Sequence, residues 1–250
     1  WEKGRQGQIE KNLLDLIRAH PTDQQFRDLV ALMASCFIQM GEYERVQNLY
    51  RMIRENPEID WARVYPQVLN ACAGVERVLG RNDRAKAYSE EALSRSKPFE
   101  NRYMETSTLR QMAQAASNLG QYEEAIRLLE QSLKIAEELK HPEVIGTTLW
   151  STGENLLRMN RPVEAVLYLE KALEQFNQLD RWLTQRWCYL ALGYSYMRLN
   201  KNVEAKRSFE SAILVAAKAG DPGPQWRAHG SLGRIAEKEE DNQKAFEHYA

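Results

Sequence analysis

The apolar and small residues of this chain fall into columns when the sequence is laid on itself with a shift of about forty. Val46, Ala85, Ala125, Ala165, Ala205 and Ala245 form one column. Four positions on come Tyr50, Ser89, Leu129, Leu169, Phe209 and Tyr249, and three beyond those Ile53, Ala92, Ser132, Ala172 and Ala212. Offsets of four and seven trace one face of an α-helix, so a buried helix follows each start of the pattern. Five residues before the first column stand Gly41, Gly80, Gly120, Asn160 and Asn200, spaced 39, 40, 40 and 40. Glycine and asparagine tolerate the left-handed conformation that closes a helix, so this column marks a recurring bend between two helices. Glu240 falls next in step and breaks the pattern, and Asp241-Asn242 beside it can supply the bend with a slip of one residue.

Upstream of the bend lies another column of small residues, Ala34, Ala73, Ala113, Gly153, Gly193 and Gly233. Glycine inside a helix costs about 1 kcal/mol relative to alanine, so its recurrence needs a packing reason, and close approach of two helix backbones supplies it. Each unit is therefore a first helix (A), a short bend and a second helix (B). The pattern predicts A helices near 22–39, 61–79, 101–119, 142–159, 181–199 and 222–239, and B helices near 42–55, 82–96, 121–139, 161–179 and 201–219. Loops such as Lys97-Pro98, His141-Pro142 and Asp221-Pro222 separate the units, because proline stops one helix and suits the first turn of the next.

The expected organisation is one repeat array over residues 1–250. Its units are 22–60, 61–100, 101–141, 142–180, 181–221 and 222–250, after a leftover B helix at 4–20 carrying Ile9, Leu13 and Leu16. Both ends cut a repeat in half. Terminal repeats normally carry a polar cap, so these residues are expected to be a window of a longer polypeptide.

Composition narrows the function. Basic residues number 34 against 35 acidic ones, a net charge of −1 that leaves no bulk excess for a phosphate backbone or an anionic membrane. The best apolar run, Ile213 to Ala217, is closed by Lys218 and is far too short to cross a bilayer. Cys36, Cys72 and Cys188 are scattered and odd in number, which argues against a disulfide framework or a zinc site and fits buried thiols in a reducing, cytoplasmic setting.

Catalytic patterns fail one by one. His20, His141, His229 and His248 form no HExxH and have no cysteine partner at ligand spacing. His229-Gly230-Ser231-Leu232-Gly233 lies mid-helix, where a serine-hydrolase elbow has no strand-to-helix turn to sit on. No phosphate-binding glycine loop occurs. The chain is expected to be no enzyme within these residues and to need neither metal nor cofactor.

Gly120-Gln121-Tyr122-Glu123-Glu124-Ala125-Ile126, followed by Leu129 and Leu133, resembles the bend and second helix of the tetratricopeptide (TPR) family. Ala191-Leu192-Gly193-Tyr194-Ser195-Tyr196 resembles its first helix. The common repeat has about 34 residues; the longer period here resembles the subclass of maltose-activator-like regulators and G-protein adaptor proteins. The resemblance implies an all-α fold, a right-handed α-α superhelix of about six helix-turn-helix repeats, whose A helices line a concave groove for a segment of another protein.

In that family the groove is lined by A-helix positions around the small-residue column. Carried onto this sequence, the resemblance implies Asn70, Arg77, Arg110 and Gln114, then Trp150 and Glu154, then Trp187 and Tyr194, and finally Arg227 and Arg234. Aromatic anchors beside arginines are the composition of interface hot spots, which suggests an apolar partner side chain near Trp150 and Trp187 and an acidic group near Arg110 or Arg234. The competing reading makes the tryptophans gap fillers and the arginines solvated. Trp61, Trp182 and Trp226, at A-helix starts, are expected to cap the core of the preceding unit.

The expected function is a protein-interaction scaffold with a protein or peptide ligand, the sensor or substrate-recruiting part of a larger signalling protein. The alternative is a spacer or oligomerisation arm of a multidomain enzyme, a protease, kinase or ATPase, whose catalytic domain lies outside the window. Neither nucleic acid nor membrane is expected as a partner.

Overall fold

The computed structural model describes residues 37, 41–55, 61–96, 102–179 and 182–249. The helices expected at 4–20 and, apart from Phe37, 22–39 lie outside the described residues. All regular structure among the described residues is helical, and the helices fall into two compact units, Trp1–Leu119 and Gly120–Ala250. No helix of the described residues is long and apolar enough to cross a membrane.

The first unit holds α1 (Tyr43–Glu55), α2 (Trp61–Val78), α3 (Asn82–Ser96) and α4 (Arg102–Asn118). The second holds α5 (Tyr122–Glu138), α6 (Pro142–Arg158), α7 (Pro162–Gln178), α8 (Trp182–Arg198), α9 (Asn202–Ala219), α10 (Pro222–Lys238) and α11 (Asn242–Tyr249). Each lies within a few residues of its expected range.

The bends are where the glycine and asparagine column placed them. Gly41, Gly80, Gly120, Asn160 and Asn200 all have positive φ, between 57° and 79°. At Asn160 the amide of Arg161 reaches back to the Leu156 carbonyl at 2.8 Å and that of Asn160 to Leu157 at 3.1 Å, the paired bonds that consume the last free carbonyls of a helix. Asn200 and Gly80 are closed in the same way. The last bend corrects the sequence reading. Glu240 itself takes φ 61°, with Asp241 N–H bonded to the Ala236 carbonyl at 2.9 Å, so no slip onto Asp241-Asn242 occurs. The same bond pattern recurs between B and A helices at Lys140 and Gly220, each followed by a proline in the first helical turn.

The columns are the core. Val46, Ala85, Ala125, Ala165, Ala205 and Ala245 are all buried, as are Ser89, Leu129, Leu169 and Phe209. In the first unit Val46, Leu49, Val68, Leu69, Cys72, Val75 and Ala92 join α1, α2 and α3 in one cluster. In the second, Phe209 and Ala212 of α9 lie among Leu190 of α8 and Ala228, Leu232 and Ile235 of α10. Leu169 of α7 sits likewise between Leu156 of α6 and Leu192 of α8. α7 and α9 are thus each covered by their own A helix and the next one. Complete burial of one of these large side chains contributes roughly 1.5–3 kcal/mol, which a single helix pair could not supply on both faces.

The helical glycines fit this packing. A Cβ on Gly153 would stand 2.6 Å from Leu169 Cγ, and one on Gly146 would stand 2.8 Å from the Phe176 ring. The sequence pattern predicts that two helix backbones meet here; what the missing Cβ mainly makes room for is a large side chain of the facing helix, Leu169 against Gly153 and the Phe176 ring against Gly146.

Candidate functional site

Three successive A helices of the second unit, α6, α8 and α10, leave a cleft that opens to solvent. Glu154, Leu157 and Arg158 line it from α6, Trp187, Leu190, Ala191 and Tyr194 from α8, and Arg227 from α10. The repeat explains the convergence. Glu154 and Tyr194 each follow the small-residue column by one position, and Trp187 and Arg227 precede it by six, so equivalent turns of neighbouring A helices face one space.

Trp187 is held in place from several sides. Its ring lies 5.9 Å from the guanidinium carbon of Arg227 and 5.9 Å from that of Arg186. Arg186 is fixed by its ion pair with Asp221 at 2.8 Å, and Asp221 in turn accepts the Gly223 N–H at 3.0 Å as the N-cap of α10. The start of one A helix therefore anchors a side chain on the previous A helix. Arg227 also lies 5.6 Å from the Trp226 ring, which places its charge between two indoles. Tyr194 meets the buried Phe209 edge-on, with ring centroids 5.4 Å apart.

Glu154 gives the cleft its electrostatic character. Burial pushes its carboxyl above the usual carboxylate range, and Arg158 and Arg227 pull the other way. The same carboxylate adds to the burial that lifts the Cys188 thiol well above its ordinary value. One acid and two arginines leave the cleft with a surplus positive charge over walls made of leucine, tryptophan and tyrosine.

Of the residues expected from sequence, Glu154, Trp187, Tyr194 and Arg227 share this cleft. Trp150 on α6 is half-buried and packs against the core around Leu169 and Phe176. Arg234 is exposed on α10 and is not among the residues that line the cleft. The other four lie on α2 and α4 of the first unit. There Asn70 is only 6% exposed and its amide donates to Thr108 Oγ1 at 2.7 Å, tying α2 to α4. Gln114 bonds to Asn118 at 3.2 Å within α4, and Arg77 and Arg110 are half-buried.

Trp226 corrects an expectation. It is 65% exposed instead of capping the preceding unit, because its position on α10 lies off the buried face that Pro224 and Ala228 occupy. The side chains of Trp61 and Trp182 lie outside the described residues. Sequence reasoning missed Arg158, which stands five positions after the small-residue column. Its counterpart forty residues on, Arg198, donates to the Leu157 carbonyl and to Asn160, so the polar last turn of an A helix was the available signal.

Two family profiles, both described as Tetratricopeptide repeat, match residues 66–138 and 103–178, and 190–250. Among solved structures the chain is similar to BtubC from P. vanneervenii, at 20% identity with 89% of this chain and 87% of that one covered and a TM-score of 0.66. It is similar to a Rap protein complexed with Competence and Sporulation Factor, at 15% identity, 96% and 77% coverage and a TM-score of 0.68. It is also similar to pilF of Pseudomonas Aeruginosa, at 21% identity, 89% and 88% coverage and a TM-score of 0.65. No curated protein matches the sequence.

Proposed function

From its membership of the tetratricopeptide repeat family, to which this chain belongs, we propose that the protein is an interaction scaffold whose second unit binds a segment of a partner protein in the α6–α8–α10 cleft. The observation that carries this reading is the convergence of Trp187, Leu190, Tyr194 and Arg227 on one solvent-open space. The cleft has apolar walls and surplus positive charge. It suits a segment that presents a large apolar side chain beside a carboxylate, with Arg227 and Arg158 receiving the charge. A Rap protein of the same fold was solved in complex with Competence and Sporulation Factor, which supports a ligand-holding role for such an array. A place in a larger signalling protein is part of the same proposal.

Selection of a displayed random-peptide library on the chain tests this. Enriched peptides should share an apolar residue within two positions of an acidic one, and Trp187→Ala or Arg227→Ala should each weaken them at least about tenfold, as for a hot-spot residue. Absence of any shared pattern, or peptides indifferent to both changes, would reject the cleft as the site.

A second reading, an association arm, rests on Val163, Leu167 and Val203, apolar residues of B helices that are each more than half exposed. Light scattering across a concentration series separates it from the first: a constant monomer mass rules out self-association.

A further inference from the structure

Two histidines far apart in sequence meet on the last helix pair. His229 lies in the middle of α10 and His248 near the end of α11, and their Nδ1 atoms are 3.4 Å apart, with ring centroids at 5.6 Å and the planes tilted by 43°. Ala245 of α11 is buried and fixes the register of the short helix, so the pair follows from packing and not from a shared helix face. Both rings are half-buried, which leaves solvent access to them.

The separation fits two chemistries, a long ring-to-ring hydrogen bond in the metal-free chain and a shared ion when one is bound. A hydrogen bond from ring N–H to ring nitrogen prefers about 2.7–3.2 Å, and 3.4 Å lies beyond that preference. Two imidazole nitrogens bound to one tetrahedral ion at about 2.0–2.1 Å stand roughly 3.3–3.4 Å apart, the chord of the tetrahedral angle. The nitrogen separation therefore matches that of two ligands on one ion.

We propose that His229 and His248 form a two-histidine site for a divalent first-row transition ion, zinc(II) by class, that clips α11 onto α10. Among the described residues no third histidine, cysteine or carboxylate completes a cluster with them. Water fills the other coordination positions, and the ion is exchangeable, not a resident structural metal. Imidazole nitrogen suits zinc, nickel and copper ions and disfavours magnesium and calcium, which sets the expected selectivity. The site is independent of the cleft, since it uses other residues and other helices.

Titration of the metal-stripped chain with zinc chloride, followed by calorimetry and by thermal unfolding, tests the proposal. One equivalent should bind with a rise in unfolding midpoint of about 2–4 °C at saturation, and magnesium should give neither. His229→Gln and His248→Gln, each checked for unchanged helicity in chelator, should lower the zinc affinity at least about tenfold and remove the rise. His141→Gln, at a distant loop, should keep both. Zinc binding that persists in both the His229 and His248 variants, or a midpoint in the unaltered chain that zinc does not move, overturns the site.

Discussion

Gly193 on α8 faces the ring of Phe209 on α9 so closely that a Cβ on the glycine would stand 2.4 Å from Cε1 of the ring, inside any real contact. Phe209 is fully buried between α8 and α10 and cannot swing away. Gly193→Ala should therefore destabilise the chain despite the better helix propensity of alanine. Overpacking costs about 1–3 kcal/mol and propensity returns about 1, for a net loss of up to about 2 kcal/mol. Gly230 on α10 has nothing within 4 Å of such a Cβ, so Gly230→Ala should gain about 0.5–1 kcal/mol. Urea unfolding of the two variants should move in opposite directions; a shared direction would mean the glycines are not kept for packing.

Glu240 holds a left-handed backbone, φ 61°, without the freedom of glycine. Glu240→Gly should stabilise by about 0.5–1 kcal/mol, while Glu240→Ala, which keeps the Cβ, should not. Asn160→Gly should gain less, because asparagine already tolerates this region. Thermal midpoints of the three variants check the order.

Burial holds the Glu154 carboxyl above its ordinary value of 4.5, against the pull of Arg158 and Arg227. Between that value and the raised native one, the folded chain binds more protons than the unfolded chain, so this group's contribution to stability falls as pH rises through the window. Glu154→Gln should accordingly be more stable than the parent at pH 7.5, with the difference shrinking towards pH 4.5. Denaturant midpoints at several pH values measure it, and a difference that grows on acidification would contradict the assignment.

Cys72 and Cys188 are buried, and burial, with help from Glu76 and Glu154 respectively, raises both thiols, Cys72 to about 12. Since the thiolate is the reactive form, neither should label with iodoacetamide at pH 8 until denaturant is added. Peptide mapping by mass spectrometry distinguishes them from Cys36.

Much of this architecture was legible in one sequence because its determinants are local. A bend that needs positive φ selects glycine or asparagine, and a helix face that seats a large side chain of its neighbour leaves no room for a Cβ, so Gly80, Asn160, Gly153 and Gly193 announce themselves by residue type and period. The buried columns follow from the same periodicity. The tertiary structure alone decided what neighbouring helices do to one another. It gave Glu240 a conformation its own chemistry disfavours, turned Asn70 into a tie to Thr108, and left Trp226 at the surface beside Arg227. It also brought Glu154, Trp187 and Arg227 to one cleft and His229 to His248. Repeat phase says which face of a helix turns inward. Which atoms meet there depends on crossing geometry, which is set by the packed side chains of several helices at once and by no stretch of sequence alone.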